Sequence, residues 1–110
     1  MAELSEIIDA LIRFRDERDW SQFHNAKDLA IALNIESSEL LELFLWKSAD
    51  KADRERIKEE LADVFAYSFL LADKFDFDVK QIILDKINMN AEKYPAVKSK
   101  GNSSKYTELK

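Results

Sequence analysis

Two acid pairs occupy positions where an apolar core is expected. Residues 35–46 read IESSELLELFLW, and Glu36 and Glu39 lie three apart inside that run. Residues 59–67 read EELADVFAY, with Glu60 and Asp63 at the same spacing. On a helical wheel, Leu29, Leu33, Leu40 and Leu43 all fall within about 60° of Glu36. Glu36 is therefore central on an apolar stripe. Glu39 sits on its shoulder beside Trp46, and Glu42 turns toward the edge. The second run repeats the pattern. Ile57, Val64, Tyr67 and Leu71 surround Glu60, Asp63 takes the shoulder, and Glu59 drifts outward. A short linker makes the two helices pack antiparallel, so four carboxylates are expected to converge in one apolar crevice. Burial disfavours each charge and the charges repel one another. Either the acids protonate or a cation sits between them. Hard oxygen ligands in a dry pocket suit Mg2+, or Mn2+. A single pair of this kind is an ordinary solvated helix face; two pairs centred on two apolar stripes are not. A di-iron carboxylate bundle needs Glu-x-x-His motifs, and the one histidine, His24, lies outside both pairs.

Helices must hold these acids. With one Gly and one Pro in 110 residues, the chain has little material for tight β-turns, which points to an all-α domain. The first helix is expected from Ser5, as N-cap, to about Arg18, with Ile7, Ile8, Leu11, Ile12 and Phe14 as its stripe. An aromatic connector, DWSQFHN, covers 19–25. Asn25 is placed to cap the second helix, 26–47. Asp50 or Asp53 starts the third, which extends to about Lys74. Asp76 is the expected cap of the fourth, which ends near Lys93 because Pro95 forbids its continuation. This gives a helical domain over 1–95 and a basic, irregular tail over 96–110. The second helix is also apolar on its far side, through Ile31, Leu41 and Leu45. A helix apolar all round is buried on both sides, so a four-helix bundle completed by oligomerisation is expected.

Composition narrows the function classes. Hydrophobic residues make up 46% of the chain and charged residues 35%, which is not a disordered composition. The absence of cysteine excludes disulfides and thiolate metal sites. No apolar run reaches the roughly 18 residues of a membrane span, and the first residues lack a signal-peptide pattern; a cytoplasmic protein without a membrane partner is the expectation. The net charge is −5; residues 96–110 carry +3, which leaves −8 on the first 95. An acidic body is a poor direct binder of nucleic-acid backbone, so handling phosphates would require cations.

Further residues extend the constellation. Lys86, Asn90 and Lys93 form one stripe on the fourth helix, followed by Tyr94. Alone this is a solvated face with a lysine complementing the helix C-terminus; beside a metal site it can address phosphate and sugar. Trp20, Phe23, Trp46 and Tyr67 offer flat faces for a nucleobase, or serve as core or subunit packing. A lone His24 fits a hydrogen-bonded structural role better than a metal ligand.

Glu36-x-x-Glu39, a spacer over 40–59, then Glu60-x-x-Asp63 resembles the motif of the MazG-like nucleoside triphosphate pyrophosphohydrolases. FRDERDWSQFH (14–24), ELFLW (42–46), EELADVFAY (59–67) and KINMNAEKYP (86–95) resemble the compact branch that includes the dCTP pyrophosphatases, and KYTEL near the end fits bacterial members. The resemblance covers nearly the whole chain. It implies an all-α dimer or tetramer that uses Mg2+ to hydrolyse a (deoxy)nucleoside triphosphate to monophosphate and pyrophosphate, with a dCTP-like substrate and a nucleotide-sanitising role. By matching positions it implies Glu36, Glu39, Glu60 and Asp63 as metal ligands, with Glu39 and Glu60 catalytic. Trp20, His24, Trp46 and Tyr67 would border base and sugar; Lys86, Asn90, Lys93 and Tyr94 would face sugar or phosphates. Ser37 and Ser38 depart from the small residues familiar between the glutamates, and Leu45 replaces a polar residue before Trp46. The alternatives are the same fold acting on dUTP or phosphoribosyl-ATP, and a non-catalytic helical interaction module whose acids pair with a basic partner.

Overall fold

The computed structural model describes residues 3–101, and every regular element among them is helical. Five α-helices follow in order: α1 (Leu4–Glu17), α2 (Ala26–Glu42), α3 (Arg54–Lys74), α4 (Val79–Lys93) and the single turn α5 (Ala96–Ser99). Short 3-10 turns cover Trp20–Phe23 and Ala49–Lys51. The chain divides into two compact units, residues 1–77 and 78–110.

Side-chain caps set the helix starts. Asn25 Oδ1 accepts from the Asp28 N–H at 2.8 Å and opens α2. Asp53 Oδ1 accepts from Glu55 N at 3.0 Å and Arg56 N at 3.4 Å and opens α3. Asp53→Ala should therefore cost about 1 kcal/mol, read as a Tm lower by several degrees; an unchanged Tm would show that the cap contributes nothing.

Four sequence expectations need correction. Glu3, not Ser5, is the N-cap of α1, and its side chain makes no capping bond. Asp76 does not cap α4: it takes a left-handed backbone, φ 55°, at the turn, and Asp78 accepts from Gln81 N at 3.1 Å instead. An αL aspartate reverses the chain, so the cap moves two residues on. α2 stops at Glu42 rather than residue 47, and irregular turns follow to Trp46, whose φ is 65°. Residues 96–99 of the tail are helical, because Pro95 is a good residue to start a turn even though it ends the preceding helix. The remainder of the tail, including KYTEL, lies outside the described residues.

In the first unit, α2 packs along α3 and α1 also rests on α3. α2 and α3 run in opposite directions. His24, just before α2, feels the charge of Lys74 at the end of α3, and Glu36 further along α2 meets Glu60 and Asp63. Leu29 is the most enclosed side chain, at 1% exposure, with Leu70 and Ala72 also buried. Arg15 is buried with them and ties α1 to α3 through Asp73, 3.4 Å from its Nη1, while Nε reaches Asp16 at 3.0 Å. Much apolar surface remains outside this core. Ile31, Ile35 and Leu41 of α2, and Leu45 in the turns that follow it, are all exposed. In the second unit Val79 is buried, while Ile82, Ile83, Leu84 and Ile87 of α4 are exposed.

Candidate functional site

The α2–α3 contact gathers three of the four acids. One oxygen each from Glu36, Glu60 and Asp63 lies within 4.8 Å of the others, and Glu36 and Glu60 are half-buried. Glu39 stands next to Glu36, close enough to raise its pKa, but outside this three-carboxylate set. Asp63 holds the same shoulder position on α3 and is in the set, so it is the way α2 lies on α3 that turns the expected four-acid convergence into three acids and a neighbour. Glu42 is exposed.

The electrostatics of the cluster are unfavourable without a cation. Oε2 of Glu36 and Oε2 of Glu60 are both buried and receive no hydrogen bond. Two carboxylates are both acceptors, so neither can satisfy the other unless one carries a proton. Burial first, then the carboxyl groups of Glu60 and Glu39 and the charge of Asp63, push the Glu36 carboxyl up to about 7. Tyr67, one turn beyond Asp63, borders the same cluster: burial and then the charges of Glu36, Asp63 and Glu39 raise its phenol pKa. It stays a hydroxyl donor at neutral pH. The donor set is all oxygen, clustered and short of positive charge, which fits a divalent cation such as Mg2+. Ser37 and Ser38 bond back to the carbonyls of Leu33 and Asn34, at 2.9 and 3.0 Å, which uses their only hydroxyl protons and leaves none for the acids.

The other sequence candidates are distributed differently. Trp20 packs edge-on against Phe14, with centroids 5.7 Å apart. Trp46 is fully exposed. His24 belongs to a second cluster with Arg15 and Lys74: burial, then those two cations, lower its pKa, so it is neutral at physiological pH, and its Nδ1 is buried without a hydrogen bond. Sequence reasoning missed Arg15. Its signal was available, since Arg15 follows Ile8 and Leu11 on one stripe of α1 and is a charge at a core position, as Glu36 is. On α4, Lys86, Asn90 and Lys93 are exposed, and Tyr94 is half-buried with its N–H bonded to Asn90 O at 2.8 Å.

The chain is all-α, and the carboxylates clustered between its two antiparallel helices form an oxygen-only donor set that fits a divalent cation. Residues 31–109 match the MazG-like family. The chain is 39% identical over 104 residues to mouse dCTP pyrophosphatase 1 and 41% identical over 104 residues to the human protein, covering 87% of this chain in each case. It spans 61% of the length of either relative. The crystal structure of a pyrophosphatase from Archaeoglobus fulgidus superimposes with a TM-score of 0.79 at 34% identity, over 86% of this chain and 94% of that one. This chain is a member of the MazG-like family.

Proposed function

We propose that this chain is a divalent-cation-dependent nucleoside triphosphate pyrophosphohydrolase acting on a dCTP-like substrate. The observation that carries the reading is the cluster of Glu36, Glu60 and Asp63, whose buried oxygens lack donors. The dCTP pyrophosphatases among its relatives support the substrate class.

Glu36, Glu60 and Asp63 would hold Mg2+, with Glu39 completing the set or exchanging with water. Bound there, Mg2+ supplies positive charge to the phosphates and lowers the pKa of a coordinated water. Glu39, beside the cluster rather than within it, would take a proton from the attacking water. Water attacks the α-phosphorus, the bond to the bridging oxygen breaks, and pyrophosphate leaves with monophosphate retained. Tyr67 donates its hydroxyl at the edge of the site. Trp20, His24 and Trp46 take the base and sugar role, and Lys86, Asn90, Lys93 and Tyr94 the phosphate and sugar role. The domain is residues 1–95, and it functions as a homo-oligomer in which helices of a second copy complete a four-helix bundle. The exposed apolar side of α2 supports this.

A panel of triphosphates with Mg2+ tests the reading. Pyrophosphate should be released, with dCTP among the preferred substrates, and chelation should abolish turnover. Release of orthophosphate would overturn the reaction assignment, and preference for purine nucleotides would overturn the substrate class.

A further inference from the structure

Arg56, Glu60, Asp63 and Tyr67 are spaced i, i+4, i+7 and i+11 along α3. That spacing draws one stripe on a helix. Its last three members meet at the acid cluster: Glu60 and Asp63 belong to it, and the charges of Glu36, Asp63 and Glu39 act on Tyr67. Arg56 continues the stripe about 6 Å beyond Glu60 along the axis, toward the start of α3. Its direction on the wheel falls between those of Glu60 and Asp63, so it lies on the cluster's face of the helix. Arg56 is exposed and makes no ion pair among the described residues. It also stands in the first turn of α3, where the helix N–H groups carry partial positive charge and disfavour a cation. Helix stability therefore gives no reason for an arginine there. The other cations of α2 and α3 are placed elsewhere. Lys27, the only Lys or Arg of α2, is turned away from Glu36 and about 13 Å from it. Arg54 and Lys58 point to the far side of α3, and Lys58 is paired with Glu55 at 3.4 Å. Lys74 is on the stripe but about 21 Å from Glu60.

We infer that Arg56 holds the phosphates beyond the α-phosphate of the substrate and so separates triphosphate from monophosphate. The inference rests on the pyrophosphohydrolase reading and names a further residue of the same site. A guanidinium is always charged, and its planar fork of donors matches two phosphate oxygens at once. Unpaired on the acid stripe, Arg56 offers that fork one helical turn from the cluster. The contact also sorts the products. Water's oxygen bonds to the α-phosphorus, its proton goes to Glu39, and the bond to the bridging oxygen breaks with its electron pair left on pyrophosphate. Arg56 then stays with the pyrophosphate, and the monophosphate has no hold on it.

Calorimetric titration of the whole chain with Mg2+ and the α,β-methylene analogue of dCTP, which resists cleavage at that link, tests this without turnover. Arg56→Gln should weaken the analogue by about tenfold or more and dCMP by less than about twofold. Arg56→Lys should keep part of the affinity. Arg54→Gln, at the same helix end but on the far side, should leave it unchanged. Mg2+ alone should bind Arg56→Gln at least as tightly as the wild type, because a cation beside the acids is gone, and the Tm should not fall. Equal weakening of dCMP and the analogue, an equal loss in Arg54→Gln, weaker Mg2+ binding or a lower Tm would each overturn the assignment. A wild type that binds the analogue no better than dCMP would overturn it too. The enzyme reading fails by a different result, a wild type that releases no pyrophosphate from any triphosphate. The analogue titrations still decide for Arg56, since they need binding alone.

Discussion

Replacing Glu60 with glutamine should reduce triphosphate hydrolysis by about a thousand-fold or more while making the metal-free protein more stable. The first effect follows from the chemistry. Removing one carboxylate from the three-acid set takes away charge that would hold the proposed cation, and single acid–base or electrostatic groups in active sites are worth about 10²–10⁴ in rate. The second follows from the orphaned oxygens. In Glu60→Gln the amide brings two N–H donors to a place where Glu36 Oε2 has none. One repulsive neighbour also disappears. Opposite signs in activity and stability separate a functional acid from a structural one. Wild-type turnover in the variant would remove Glu60 from the mechanism, and a lower Tm with lost activity would make its role one of folding.

A second result should be visible without substrate. Glu36 titrates near 7 in the folded chain against an ordinary value near 4.5. Between those values the folded state holds a proton that the unfolded state has released, so stability falls as pH rises through this window and levels above it. The shift sets an upper limit of about 3 kcal/mol, which solvent at this half-buried site reduces to the order of 1–2 kcal/mol. The Tm of metal-free protein should drop by about 5–10 °C from this group alone. The comparison is with Glu36→Gln, where this part of the slope should vanish. Saturating Mg2+ should flatten it in the wild type, because the cation takes the proton's place. Equal slopes in wild type and Glu36→Gln would assign the pH dependence elsewhere.

Much of this site was legible because it breaks a local rule. Glu36 and Glu60 are acids at core positions, and the wheel alone places them against apolar neighbours. Pairing them across helices needed only the short connection. The wheel could not tell that Glu39 would stand aside from the cluster, since that depends on how α2 lies on α3. Helix ends were legible where one residue had one possible role, as with Asn25 and Pro95. They were not legible in FDFD, where two aspartates compete and the turn takes Asp76 for its left-handed residue. Arg15 was readable by the same reasoning as the acids. Its partner Asp73, 58 residues away, was not, because only tertiary packing brings α1 against α3.

The two tryptophans give the molecule an optical handle. Trp20 lies edge-on to Phe14, whereas the indole of Trp46 is bare in the turns that follow α2, on a residue with a left-handed backbone. Light emitted from the two therefore differs in its access to a dissolved quencher. Any nucleobase or protein surface that covers the end of α2 will shield Trp46 first, and the Trp20→Phe chain reports that event from a single fluorophore.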